Sequence, residues 1–174
     1  MAWKTYILVV FMRFLILALG QLEEGFVRDF VAGFAPQLPD KDGHYQQYIA
    51  FSVRRTNGGV NMTWHECVSS TAADATDGGG TLKTVDYTSC LHTGDPFGPV
   101  IQFSLADAGE GAFQLRLIWD LPGPKGVKFG NYIIRASDLK WMPYWGHDIQ
   151  MYAGVTEFGF VVDQFGQPDP TTGL

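Results

Sequence analysis

The sequence predicts a mainly β protein, an antiparallel β-barrel or sandwich preceded by one short N-terminal helix. Three observations carry the prediction. Apolar residues alternate with a period of two through much of the chain after Tyr48, the alternating runs are separated by turn segments rich in Gly, Pro and Asn, and no heptad or internal repeat competes with them. The 174 residues suffice for one domain, and 46% hydrophobic, 14% aromatic and 17% charged residues make the chain too apolar to be disordered.

In chain order, the first element is a leader. Lys4 precedes two apolar runs, Tyr6 to Met12 and Phe14 to Gly20, and Ala18 and Gly20 stand at the spacing a signal peptidase reads. Residues 1–20 therefore read as a signal peptide, with Gln21 as the mature start. The run is short for a membrane span. Arg13 interrupts it, which leaves an uncleaved anchor or an internal helix as alternatives. Loss of Lys4 and Arg13 would leave ten basic residues against eighteen acidic ones, a formal charge of −8 in place of −6. The expected location is extracellular, with no stable membrane insertion once the leader is removed. Export agrees with one potential disulfide, Cys67 with Cys90, and with an acceptor sequon for glycosylation at Asn61-Met62-Thr63. Closing that loop would stabilise the fold by roughly 3 kcal/mol in the chain-entropy picture. Two unpaired buried thiols are the alternative, and a strand-embedded Asn61 would be hidden from the transferase.

Gln21 to Phe34 spaces Leu22, Phe26, Phe30 and Val31 among Glu23, Glu24, Arg28 and Asp29 as an amphipathic helix would, and Pro36 and Pro39 end it. Residues 21–47 thus read as helix and linker, 48–165 as the β domain and 166–174 as a tail. Ile49, Phe51 and Val53 begin the first strand, Thr56-Asn57-Gly58-Gly59 has hairpin-turn chemistry, and Val60 to Val68 returns. Ser69 to Gly80 lacks an apolar period and reads as an exposed loop. Ile101, Phe103 and Leu105 pair with Phe113, Leu115, Leu117 and Trp119 as a second hairpin, and Val127 to Ile134 and Val155 to Val162 are further strands.

Tyr48-Ile-Ala-Phe-Ser-Val-Arg-Arg55, the Asn-Gly hairpin, Cys67, a variable loop, Cys90, Ile101-Gln-Phe-Ser-Leu105 and Ala112-Phe-Gln-Leu-Arg-Leu-Ile-Trp119 together resemble the Alternaria major-allergen-like family of small secreted fungal proteins. The resemblance runs from Tyr48 to Trp119. It implies an exported β-barrel or sandwich stiffened by disulfides, non-enzymatic, and acting as an allergen or as an effector at a host surface. This chain has two cysteines where such proteins often have four, and its aromatic C-terminal third falls outside the resemblance.

The residues support no reaction class. A charge of −6 disfavours nucleic acid, whose phosphates need a basic face. His65-Glu66-Cys67 offers three ligand types, but neighbours on a strand point to opposite faces and no paired-ligand spacing follows, so neither a metal nor any cofactor is expected. No Gly-x-Ser-x-Gly elbow or phosphate-binding glycine pattern occurs, so no catalytic residue is assigned. Asp120, Asp138, Asp148, Glu157 and Asp163 are available as hydrolase carboxylates, but spacing alone pairs none of them. The most unusual stretch is Lys140-Trp-Met-Pro-Tyr-Trp-Gly-His-Asp148. Pro143 and Gly146 suggest a loop in which Trp141, Tyr144, Trp145, His147 and Asp148 either bind a ligand or fold back to plug the barrel. The expectation is a secreted interaction protein contacting an extracellular protein or glycan through surface loops. A carbohydrate-binding module built on the aromatic segment, or a small secreted hydrolase, is the alternative.

Overall fold

A computed structural model describes residues 23–36, 45–57, 60–73, 80–91, 99–121, 126–144 and 147–163. The predicted leader and tail lie outside them. The strands are β1 (Glu23–Pro36), β2 (Tyr45–Asn57), β3 (Val60–Asn61), β4 (His65–Ala73), β5 (Val85–Ser89), β6 (Val100–Gly109), β7 (Ala112–Asp120), β8 (Val127–Ile134), β9 (Leu139–Tyr144), β10 (His147–Tyr152) and β11 (Phe158–Asp163). Nine of them form one antiparallel sheet: β4 and the short β3 pair with one side of β2, and the path continues β1-β11-β8-β7-β6-β5. Its two edges, β4 and β5, meet at a seam where the Leu91 N–H donates to the Glu66 carbonyl at 2.7 Å and Cys67 is bonded to Cys90. The sheet is thus a nearly closed barrel, whose edge strands face each other instead of another chain. No helix among the described residues is long and apolar enough to cross a membrane.

The predicted N-terminal helix is a strand. β1 lies between β2 and β11, so residues 23–36, together with Tyr45 to Gln47 of β2, belong to the barrel and not to a helix and linker ahead of it. The misreading has a local cause. The register against β2 shifts between Arg28 and Val31, where Asp29 adopts a left-handed φ of 55°. Gly25 and Val27 face the core before this bulge, and Phe30, Ala32 and Phe34 after it. One inward step is therefore three residues long and imitates helical spacing. The bulge also aims the Phe30 N–H outside the ladder, where it donates to the Thr156 carbonyl at 3.1 Å.

Elsewhere the alternation predicts the burial. β6 buries Ile101, Phe103 and Leu105, and β7 buries Phe113, Leu115, Leu117 and Trp119. The strand returning from the Asn-Gly turn is split instead of continuous: β3 pairs with Thr56 and Asn57, Met62 to Trp64 leave the ladder, and β4 continues to Ala73, inside the expected loop. Aromatic rings fill the lumen. Phe30 lies 5.7 Å from Phe51, 4.8 Å from Tyr152 and 5.6 Å from Phe158 between ring centroids, and Phe51 meets Phe103 at 5.0 Å. Phe160 stacks on Trp119 only because its neighbours are glycines; a Cβ at Gly25 or Gly130 would stand 2.2 Å from its ring.

Antiparallel pairing gives the barrel two distinct ends. At the ionic end, Glu23 on β1, Arg55 on β2 and Lys128 on β8 meet: Arg55 Nη1 donates to Glu23 Oε2 at 3.0 Å, and Lys128 Nζ pairs with Glu23 Oε1. Arg55 and Lys128 are only 5% and 7% exposed. At the opposite end, the chain between the paired strands β8 and β11 leaves the sheet, forms a 3-10 turn at Ala136–Asp138, and builds the separate β9–β10 hairpin.

Candidate functional site: a cleft at the hairpin end

The site begins with a segment that belongs to no strand. Gly80 to Thr84 crosses the hairpin end between β2 and β10, and two glutamine side chains hold it. Gln47 donates from Nε2 to the Lys83 carbonyl at 2.9 Å and accepts from the Lys83 N–H at 2.7 Å. On the other side Gln150 accepts from the Leu82 N–H at 3.0 Å, and its backbone N–H donates to the Gly80 carbonyl at 2.7 Å. These amides satisfy the backbone groups that a strand partner would otherwise take. Gly80 permits the approach, since a Cβ there would stand 2.9 Å from Ile149.

The facing wall is the β6–β7 turn. Gly109, Glu110 and Gly111 all have positive φ, and Asp107 Oδ1 accepts from the Gly109 N–H at 2.8 Å, fixing the turn and its own carboxylate. Between the walls lies a cleft of about 500 Å³. Buried Leu82 and Phe113 line it together with Thr81, Lys83, Thr84, Asp107 and Glu110, all exposed, and with Gln150. Its volume falls within the range of small-molecule sites.

The hairpin that carries Gln150 is tied down at its base. Leu139 and Tyr152 are a cross-strand pair whose side chains join the core, and the Ala153 N–H donates to the Asp138 carbonyl at 2.7 Å. The Tyr152 hydroxyl donates to the Val155 carbonyl at 2.7 Å. Burial, and then the nearby Tyr132 and Asp138, push its phenol up to about 12.

The aromatic segment is therefore a β-hairpin, not a loop. Pro143 is tolerated because, among the described residues, β9 pairs only with β10 and is an edge strand. Of the predicted ligand-binding residues, Trp141 is 54% exposed and Asp148 is exposed. Tyr144 and His147 are the cross-strand pair closing the hairpin, although their side chains, like the whole of Trp145, lie outside the described residues. The buried apolar residues of the hairpin are Leu139, which joins the core, and Ile149, which packs against Gly80, at 7% and 4% exposure. The described tryptophans divide clearly. Trp119 is buried, and Trp64 lies on the outer face between the guanidinium groups of Arg28 and Arg54, 4.3 and 4.5 Å from its ring. Trp141 is open, and it stands directly opposite Gln150 in the hairpin register, which puts it on the same face as a residue of the cleft.

Other candidate residues are committed elsewhere. Cys67 is in the disulfide and offers no thiolate, while His65 is buried. Among the described residues no group of three or more His, Cys, Asp or Glu is placed to hold a metal ion. In the sequon, Asn61 lies in the short strand β3 and Thr63 is exposed. Among the described residues, Asp107 and Glu110 are the carboxylates that line the cleft, and neither is among the five that the sequence singles out. One signal for the site was legible: Gln47 is in phase with Ile49, Phe51 and Val53, an inward polar residue that demands a partner. No known protein family, curated protein or solved structure matches the chain.

Proposed function

We propose that this is a secreted, non-enzymatic interaction protein of the fungal effector or allergen type, and that its contact surface is the hairpin end of the barrel. The observation that carries the reading is Trp141. A large aromatic side chain is held more than half exposed on a hairpin anchored to the core through Leu139 and Tyr152. An aromatic residue with few rotatable bonds on a hairpin so anchored loses little entropy when a partner covers it. The seam disulfide suits an oxidising, extracellular compartment.

A hydrolase finds less support. Among the described residues, the cleft's carboxylates Asp107 and Glu110 belong to one turn, on one wall, whereas glycoside hydrolysis needs two carboxyl groups flanking the scissile bond.

The test uses the exported protein, fluorescently labelled and titrated onto intact plant and animal cells. Saturable binding is expected on one of them, weakened about tenfold or more by Trp141→Ala, as for a central aromatic anchor. The melting temperature of that variant should match the parent. No saturable binding, or binding indifferent to Trp141→Ala, overturns the proposal.

A further inference from the structure

We infer that the cleft between the Gly80 to Thr84 segment and the β6–β7 turn binds a neutral oligosaccharide, with Trp141 as the stacking platform at its rim. This rests on the reading of the hairpin end as the contact surface and names the ligand class for it. Four observations carry it.

The first is the distribution of polarity. The apolar residues, Leu82 and Phe113, are buried, whereas Thr81, Lys83, Thr84, Asp107 and Glu110 are exposed around them. A pyranose has the complementary shape, with C–H groups on its faces and hydroxyls around its edge. The second is the mix of hydrogen-bonding groups. Threonine hydroxyls both donate and accept, and carboxylates accept from sugar hydroxyls, so the rim matches groups that do both.

Charge is the third. Among the described lining residues there are two carboxylates, Asp107 and Glu110, and one ammonium, Lys83, so these residues together are net negative by one. Sulfated or phosphorylated ligands are disfavoured by that balance, and the hydroxyl-matching rim selects a neutral sugar. The fourth is position and rigidity. Trp141 is paired in register with Gln150, whose side chain is fixed by the Leu82 N–H, and Gln47 holds the same segment from its other side. The platform and the cleft are thus parts of one preorganised unit, which reduces the entropy lost on binding.

The experiment is calorimetric titration of the full-length exported protein with cellohexaose, xylohexaose, laminarihexaose, chitohexaose and a sulfated heparin hexasaccharide. At least one neutral hexasaccharide should bind. Trp141→Ala should weaken it about tenfold or more, Trp141→Phe should retain most of the affinity, and Thr84→Arg should weaken it by crowding the cleft. Thr84 is exposed, so unchanged melting of each variant separates loss of the site from loss of the fold. If only the sulfated sugar binds, or none does, while cell binding still depends on Trp141, the sugar inference falls and the contact surface stands. If neutral sugars bind but both Trp141→Ala and Thr84→Arg are silent, the site lies elsewhere and the inference is overturned. If cell binding itself ignores Trp141, the reading of this end fails, and the inference fails with it.

Discussion

The two ends of the barrel handle buried polarity in opposite ways. At the ionic end, charged side chains point inward: one carboxylate, Glu23, serves both Arg55 and Lys128, and both cations are withdrawn from solvent. At the hairpin end, the groups that point inward and bond to the backbone are neutral amides, Gln47 and Gln150, while Lys83, Asp107 and Glu110 are left at the surface. Polar groups sealed in the lumen make structure. Polar groups displayed around an apolar floor can be reached by a ligand without first being uncovered, and so the second end carries the proposed function.

The sharpest way to break this contrast is Glu23→Gln. It leaves two buried cations facing a neutral partner, and a loss of about 3–5 kcal/mol is expected. Urea unfolding should show a lower midpoint with an unchanged slope. A small effect would mean that water reaches the ionic end, and the contrast would weaken.

Opening the seam comes next. The bridge joins residues 23 apart in sequence, and Cys67→Ala with Cys90→Ala should lower stability by about 3 kcal/mol in the chain-entropy model. Amide exchange should accelerate at Leu91, whose N–H crosses the seam, and much less at Leu82 and Lys83, which Gln47 and Gln150 hold at the hairpin end. Equal acceleration at both would show that the two ends are not independent.

Gln47→Ala tests the other end. It strips partners from the Lys83 N–H and carbonyl, and about 1–3 kcal/mol should be lost. Exchange at Lys83 should rise while the salt-bridged end is unaffected. The smallest effect is electrostatic. With the Tyr152 phenol raised from 10.0 to about 12, the folded state holds its proton more tightly than the unfolded chain does. The resulting stabilisation is complete below about pH 10 and is lost as pH rises toward about 12. Stability measured across that window should decline in the parent, and Tyr152→Phe should remove that contribution.

How legible each part was depends on how local its cause is. The β6–β7 hairpin was readable because Ile101, Phe103 and Leu105 oppose Trp119, Leu117 and Leu115, an alternation that a two-faced sheet imposes on neighbouring residues. β1 was misread because a single bulge at Asp29 lengthens one step of the same alternation. β5 gave no signal, since only Val85 among its residues is buried. Trp141 was visible as an unusual residue, but not whether it was exposed.

What the sequence by itself determined is the β class, most of the strands, the cysteine pair and the inward residues of the central staves, all of which follow from the two-residue period of an extended chain. Only the tertiary structure decided that the sheet closes with β4 against β5, that Glu23, Arg55 and Lys128 converge, and that Gln150, Asp107 and Thr84 share one cleft, with Trp141 opposite Gln150 in the hairpin register. Those residues are far apart along the chain. Their meeting is set by strand order and register, which depend on the packing of the whole lumen rather than on any local pattern.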